Sequence, residues 1–183
     1  MTRIRIAFFS PIIAHYRAAL LRALDSSAEF EFRYFADLED GASQIPILER
    51  DAAGGFTRCR VHRLPLGGVW QSSTLGSVLG GDCAIYILPG DAHWLSSWAG
   101  AVAARLRGRK VLFWTHGWTR RDRGGRRRLR NAFYRLAHGL LLYGERARAI
   151  GIEQGFAAAR LHVIYNSLDV DEQLRLAAAL EPQ

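Results

Sequence analysis

Short apolar runs alternate along this chain with longer stretches whose apolar residues fall three and four apart. Ile4–Phe9 reads as a first strand, and Tyr16, Ala19, Leu20 and Ala23 set one face of a helix over His15–Leu24. Glu29–Phe35 alternates as a second strand, and Cys59–Arg63 makes a third. Between them, residues 37–56 mix acids with Gly41, Pro46, Gly54 and Gly55, the composition of a long loop. The second half is more regular. Strands are expected at Ala84–Leu88, Val111–Trp114, Leu140–Tyr143 and His162–Tyr165, and helices at Ala92–Arg107, Gly125–Ala137, Glu145–Gln154 and Asp171–Leu180. Strands joined by single helices need right-handed crossovers and yield a parallel sheet. The pattern predicts an α/β fold: a doubly wound, Rossmann-like parallel sheet of about seven strands. At 183 residues the chain buries one good core and is read as a single domain over 1–183.

Strand ends then single out candidate chemistry. In open parallel sheets, ligands sit beyond the carboxyl ends of the strands. His116 stands there, two residues past the apolar run Val111–Trp114, with Gly117 letting the backbone turn beside it. His15, Tyr16 and Arg17 open the first helix at the end of strand one, where free N–H groups favour a phosphate or a sugar hydroxyl. Asp91 and His93 follow the strand Ala84–Leu88 through Pro89-Gly90; Asp91 reads equally well as a site carboxylate or a helix cap. Trp94 and Trp98 lie four apart, and Trp118 follows His116. Indoles stack on sugar rings, but at helical spacing they also build cores.

Charge changes the picture at one place. Residues 120–130 hold seven arginines and one acid, +6 of the net +8 of the whole chain. A single compact patch differs from the broad basic face that nucleic acid selects, so no nucleic acid partner is expected. Three readings remain for Arg120, Arg121, Arg126, Arg127 and Arg128. They form a solvated loop, they hold phosphates of a donor or a lipid diphosphate, or they meet an anionic membrane surface. The third draws on a helix over Arg126–Ala137 with Leu129, Ala132, Phe133 and Leu136 on one face. Cys59 and Cys83 match no metal spacing and read as buried free thiols, which suits a reducing cytoplasm. No stretch reaches the ~20 apolar residues of a membrane span. The expected location is cytoplasmic, with peripheral contact at the inner membrane face.

Four stretches, IAFFSPIIAHYRAALLRAL, KVLFWTHGW, LLYGERARAIGIEQGF and LHVIYNSLDVDEQ, resemble in order and spacing the amino-terminal half of a family 4 glycosyltransferase of the two-domain GT-B fold. The resemblance implies transfer of a sugar, usually with retention, from a nucleotide-sugar to a saccharide or lipid-linked acceptor. It implies an acceptor-binding first domain, over 1–183. A C-terminal donor-binding domain is expected to be absent from this chain and supplied by a further domain or a partner subunit, the chain alone being expected to be inactive. No cofactor beyond the donor substrate and no metal is implied. His116 resembles the histidine that the family places in the cleft, for binding or proton transfer. The donor-site Glu-x7-Glu has no counterpart at the expected place, and SPIIAHYR lacks the glycines of many relatives' first loop. Glu145 and Glu153 share that spacing but fall within the first-domain match, and Asp169-Val170-Asp171 reads as a helix cap. Two other classes stay open: a non-catalytic acceptor- or membrane-binding domain working with a donor-binding subunit, and a Rossmann-type nucleic-acid binder.

Overall fold

The computed structural model describes residues 2–37, 48, 56–119, 124–165, 174 and 178. Apart from positions 174 and 178, the helix expected over Asp171–Leu180 lies outside these residues, as do most of the 37–56 loop, Arg120 and Arg121. Nine strands are described: β1 (Ile4–Phe9), β2 (Phe30–Ala36), β3 (Phe56–Arg58), β4 (Val61–Arg63), β5 (Val69–Gln71), β6 (Ile85–Pro89), β7 (Lys110–Thr115), β8 (Gly139–Leu142) and β9 (Leu161–Val163). The helices are α1 (Ala18–Asp25), α2 (Thr74–Gly80), α3 (Leu95–Leu106), α4 (Gly124–Leu136) and α5 (Glu145–Glu153).

Seven strands make one sheet in the order β3-β2-β1-β6-β7-β8-β9, every neighbouring pair parallel. From β1 the chain first winds outward to β2 and β3, then restarts beside β1 at β6 and winds the other way. The crevice between the ends of β1 and β6 is therefore the topological switch point, where this architecture leaves room for a ligand.

Alternation along the strands divides the core in two. Phe9, Leu88, Phe113 and Leu142 point to one face and pack with Val78 of α2, Ala101 of α3, Phe133 of α4 and Ile150 of α5. Phe113 and Phe133 stack with ring centroids 4.2 Å apart. Phe8, Tyr34 and Ile87 point to the opposite face, which Leu21 of α1 covers. Burying each such side chain contributes about 1.5–3 kcal/mol. Cys59 and Cys83 are free and buried, and burial pushes both thiols up.

The third strand departs from expectation. The sheet's strand is Phe56–Arg58, not Cys59–Arg63. The Cys59 N–H still bonds the Ala36 carbonyl (2.8 Å), but the Asp37 carboxylate then accepts the Val61 N–H (2.8 Å) and the chain turns away. Val61–Arg63 pairs instead with Val69–Gln71 as an antiparallel hairpin. Its turn places Leu66 at φ 64°, a left-handed conformation that a leucine gives no reason to expect. The short α2, with glycines at 76 and 80, is also illegible from periodicity.

His138, just before β8, is expected to make stability depend on pH. Its Nδ1 accepts the Val111 N–H at 3.0 Å, which requires that nitrogen to be unprotonated. Burial, then the charges of Arg105, Lys110 and Arg160, hold its pKa below the ordinary 6.5. The unfolded chain takes up this proton at higher pH than the folded one. The contribution is thus complete above about pH 6.5 and is lost as pH falls through the lower folded value. The melting temperature is expected to drop as pH falls below about 6.5. His138→Asn, whose Oδ1 can accept the same N–H without titrating, should flatten that drop; an unchanged slope would remove His138 as its source.

Candidate functional site

A cavity of about 210 Å³ opens over the carboxyl ends of β1, β6, β7 and β8, at the switch point. Its walls are set by close approaches of backbone. At Gly90, a Cβ would stand 2.5 Å from the Thr115 Cβ and 3.0 Å from the Trp114 carbonyl oxygen, so a side chain would push β6 off β7. On the β1 side, the Ser10 N–H bonds the Phe35 carbonyl (2.9 Å) and the buried Gln71 amide donates to the Ser10 carbonyl (2.8 Å). The hairpin that carries Gln71 thus braces the β1 loop.

His116 is exposed at the cavity rim, and a closed ring of hydrogen bonds holds the turn that presents it. The Gly117 N–H donates to Thr115 Oγ1 (3.0 Å), and the Tyr134 hydroxyl donates to the Gly117 carbonyl (3.3 Å). The Thr115 hydroxyl therefore donates to Tyr134 across 3.1 Å. Burial pushes the Tyr134 pKa up to about 12, so its hydroxyl stays a donor throughout the physiological range. Gly117 itself sits at φ 66°, and a Cβ there would lie 2.7 Å from Leu142 Cδ2. The imidazole of His116 meets the Tyr143 ring edge to face, centroids 4.4 Å apart at 89°.

Tyr143 was legible only as the last residue of an apolar strand, yet it organises one side of the cavity. Its oxygen accepts hydrogen bonds from Arg17 NH2 (2.9 Å) and from the Trp114 indole N–H (2.6 Å). The Arg17 guanidinium lies 5.3 Å from the Trp114 ring centroid, a cation–π contact. Trp114, Arg17, Tyr143 and His116 thus form one connected wall, of which position at a strand end singles out only Arg17 and His116.

The remaining expected residues separate cleanly. Asp91 and Tyr16 line the cavity with Arg17 and His116. Asp91 is not the cap of α3: the cap position is Trp94, without a side-chain cap bond. His15 is exposed on the one-turn helix His15–Arg17 and does not line the cavity. His93 is exposed outside it as well; its carbonyl bonds the Val69 N–H (2.8 Å). Trp118 is a correction. At 2% exposure it belongs to the core, its indole N–H bonded to Asn131 Oδ1 (3.0 Å), and it does not line the cavity. Trp94, buried at 6%, does line the cavity.

The helix of the arginine patch is also oriented differently. α4 buries Asn131, Phe133 and Tyr134, leaving Leu129 and Ala132 exposed with Arg126, Arg127 and Arg128. Leu129 is 55% exposed amid those arginines rather than facing the core. Among the described residues, no group of three or more His, Cys, Asp or Glu could hold a metal ion, and no helix is long and apolar enough to cross a membrane.

The family described as Glycosyltransferase Family 4 matches residues 82–172, which run from just before β6 to beyond β9 and include His116 and Tyr143. Over these residues, just under half of its length, the chain is similar to glycosyltransferase family 4. Solved structures of GT-B proteins share its fold. The S. aureus protein MnaA in complex with UDP superposes with a TM-score of 0.60 at 12% identity, over 100% of this chain and 49% of that protein. The lipopolysaccharide outer core galactosyltransferase WaaB gives 0.57 at 12%, over 90% and 46%. UDP-GlcNAc 2-epimerase from Methanocaldococcus jannaschii gives 0.54 at 14%, over 89% and 45%. The chain therefore spans less than half the length of these proteins. No curated protein sequence matches it.

Proposed function

We propose that this chain is the acceptor-binding wall of a sugar-transfer cleft in a retaining glycosyltransferase that uses a nucleotide-sugar donor. The observation that carries this reading is the cavity at the switch point, which gathers Arg17 with His116, Asp91 and Tyr143, the last three within the family-matched residues. Both transferases and epimerases share the fold, so the fold does not choose between them; the family match favours transfer. In this reading Asp91 accepts a hydrogen bond from an acceptor hydroxyl, and His116 holds the hydroxyl that attacks. The indole faces of Trp94 and Trp114 supply apolar surface for the sugar ring. A second Rossmann-like domain, in the same polypeptide or a partner, would bring the donor to the open side.

Hydrogen exchange with and without the acceptor saccharide tests the placement. Slowed exchange is expected over Ser10–Arg17, Pro89–Trp94 and Trp114–Gly117. Slowing confined to α3 and α4 would overturn it.

The arginine face of α4 is read as a peripheral contact with anionic lipid, supported by the exposure of Leu129 beside Arg126, Arg127 and Arg128. Each basic residue near such a surface adds about 1 kcal/mol, so replacing all three with Gln should weaken liposome binding roughly 100-fold. The check is sedimentation with phosphatidylserine-containing vesicles; unchanged sedimentation would assign these arginines to solvent.

A further inference from the structure

The arginines of this fold settle in different ways. Arg5, Arg33 and Arg148 pair with carboxylates, and Arg3, Arg105, Arg107 and Arg160 donate to backbone carbonyls. Arg17 does neither among the described residues. It is partly buried, and one of its N–H groups goes to the neutral Tyr143 hydroxyl at 2.9 Å. The guanidinium lies against the Trp114 ring. A cation drawn partly out of water without a counter-ion is costly, and an arginine carries five donors. Arg17 lines the cavity at the switch point, so its remaining donors are open to an anion there.

Tyr143 supplies a second donor. Its oxygen accepts from Arg17 and from the Trp114 indole N–H (2.6 Å), which takes both of its lone pairs and leaves its own hydrogen to donate. Tyr143 also lines the cavity, its oxygen 2.9 Å from the Arg17 nitrogen. Two donors that close together suit the paired oxygens of one carboxylate, the planar group that guanidinium recognises. The charges already in the cavity favour a single negative charge. Among the described residues that line it, Arg17 is the one arginine or lysine and Asp91 the one carboxylate. A phosphate monoester carries about −1.5 to −2 near neutral pH, so part of its charge would face Asp91 unmatched. A carboxylate is matched by Arg17 alone and leaves Asp91 to accept from sugar hydroxyls. We infer that the cleft selects an anionic acceptor, a saccharide bearing a carboxylate, whose two oxygens take donors from Arg17 and Tyr143. This rests on the acceptor reading above and adds the acceptor's charge to it: the substrate class is a sugar acid, its attacking hydroxyl turned toward His116.

Sugar acids paired with their amides test the inference, because the members of a pair share a shape and differ in charge. The protein is titrated with the methyl glycosides of glucuronic, galacturonic and mannuronic acid, with the corresponding uronamides, and with glucose 6-phosphate. The indole N–H resonance of Trp114, assigned through Trp114→Phe, reports binding. At least one acid should bind roughly 10–100-fold more tightly than its amide, the range for hydrogen bonds to a charged group. Arg17→Gln should bring that acid down to the level of its amide. Tyr143→Phe, which removes the hydroxyl donor, should narrow the gap roughly 3–10-fold. The wild-type comparison stands even if a variant does not fold. Acids that fail to bind, or bind no better than their amides, would overturn the inference. Glucose 6-phosphate binding more tightly than every acid, or an Arg17→Gln variant that keeps the preference, would overturn it as well. Amides that match the acids and slow hydrogen exchange over Ser10–Arg17 and Trp114–Gly117 would remove the charge preference and leave the acceptor reading standing. Exchange that no sugar alters would remove both.

Discussion

His116→Ala is expected to lower sugar transfer by about 10²–10⁴-fold, the range for losing a residue that handles a proton in the transition state. The melting temperature should stay near wild type. His116 is exposed, and its turn is held by Thr115, Gly117 and Tyr134 through bonds that do not involve the imidazole. Surface substitutions of this kind usually change stability by about 0.5 kcal/mol or less. Steady-state kinetics on the gene product, paired with thermal unfolding, separates the outcomes. A large fall in kcat with an unchanged melting temperature places the imidazole in the chemistry. Parallel losses of activity and stability would make His116 a structural part of the loop. Tyr134→Phe provides the contrasting case: it breaks the ring of hydrogen bonds while leaving His116 present, so it should raise KM or lower kcat more weakly.

Trp118→Ala carries the largest expected cost in stability. The indole is packed edge to face on Tyr134 and on Phe156, each at 4.9 Å between centroids. Removing a side chain this large from a core costs about 3–5 kcal/mol. Asn131 Oδ1 would also lose the indole N–H it accepts, a further loss of about 1–3 kcal/mol if water does not replace it. For a chain of this size the melting temperature should fall by roughly 10 °C or more. Denaturant unfolding of the variant measures the loss directly. A loss below about 1 kcal/mol would contradict the core placement and return Trp118 to the list of ligand contacts.

The contrast between these neighbours shows what the chain reveals and what it conceals. The run Val111–Trp114 announces a buried strand, and the position of His116 beyond it announces a site, because strand ends and ligand positions are linked in parallel sheets. Trp118 carries no such signal. Its burial depends on Asn131 and Phe156, which only the folded chain brings beside it. Tyr143 is hidden for the same reason: its role comes from Arg17, 126 residues earlier, and from Trp114 on the adjacent strand. Long-range pairing also moved the third sheet strand from Cys59–Arg63 to Phe56–Arg58, since Asp37 captures the Val61 N–H and diverts the chain into a hairpin. The orientation of α4 turned on single residues. Asn131 looks polar enough for solvent, yet its amide is committed to Trp118 and Gln154, which rotates Leu129 outward.

The measurement that tests the central claim most directly is nucleoside diphosphate release from nucleotide-sugars by the gene product, with and without a saccharide or lipid-linked acceptor. A transfer cleft predicts release that rises with acceptor concentration and saturates, with the sugar recovered on the acceptor. Conversion of the donor sugar to its epimer without any acceptor would contradict it.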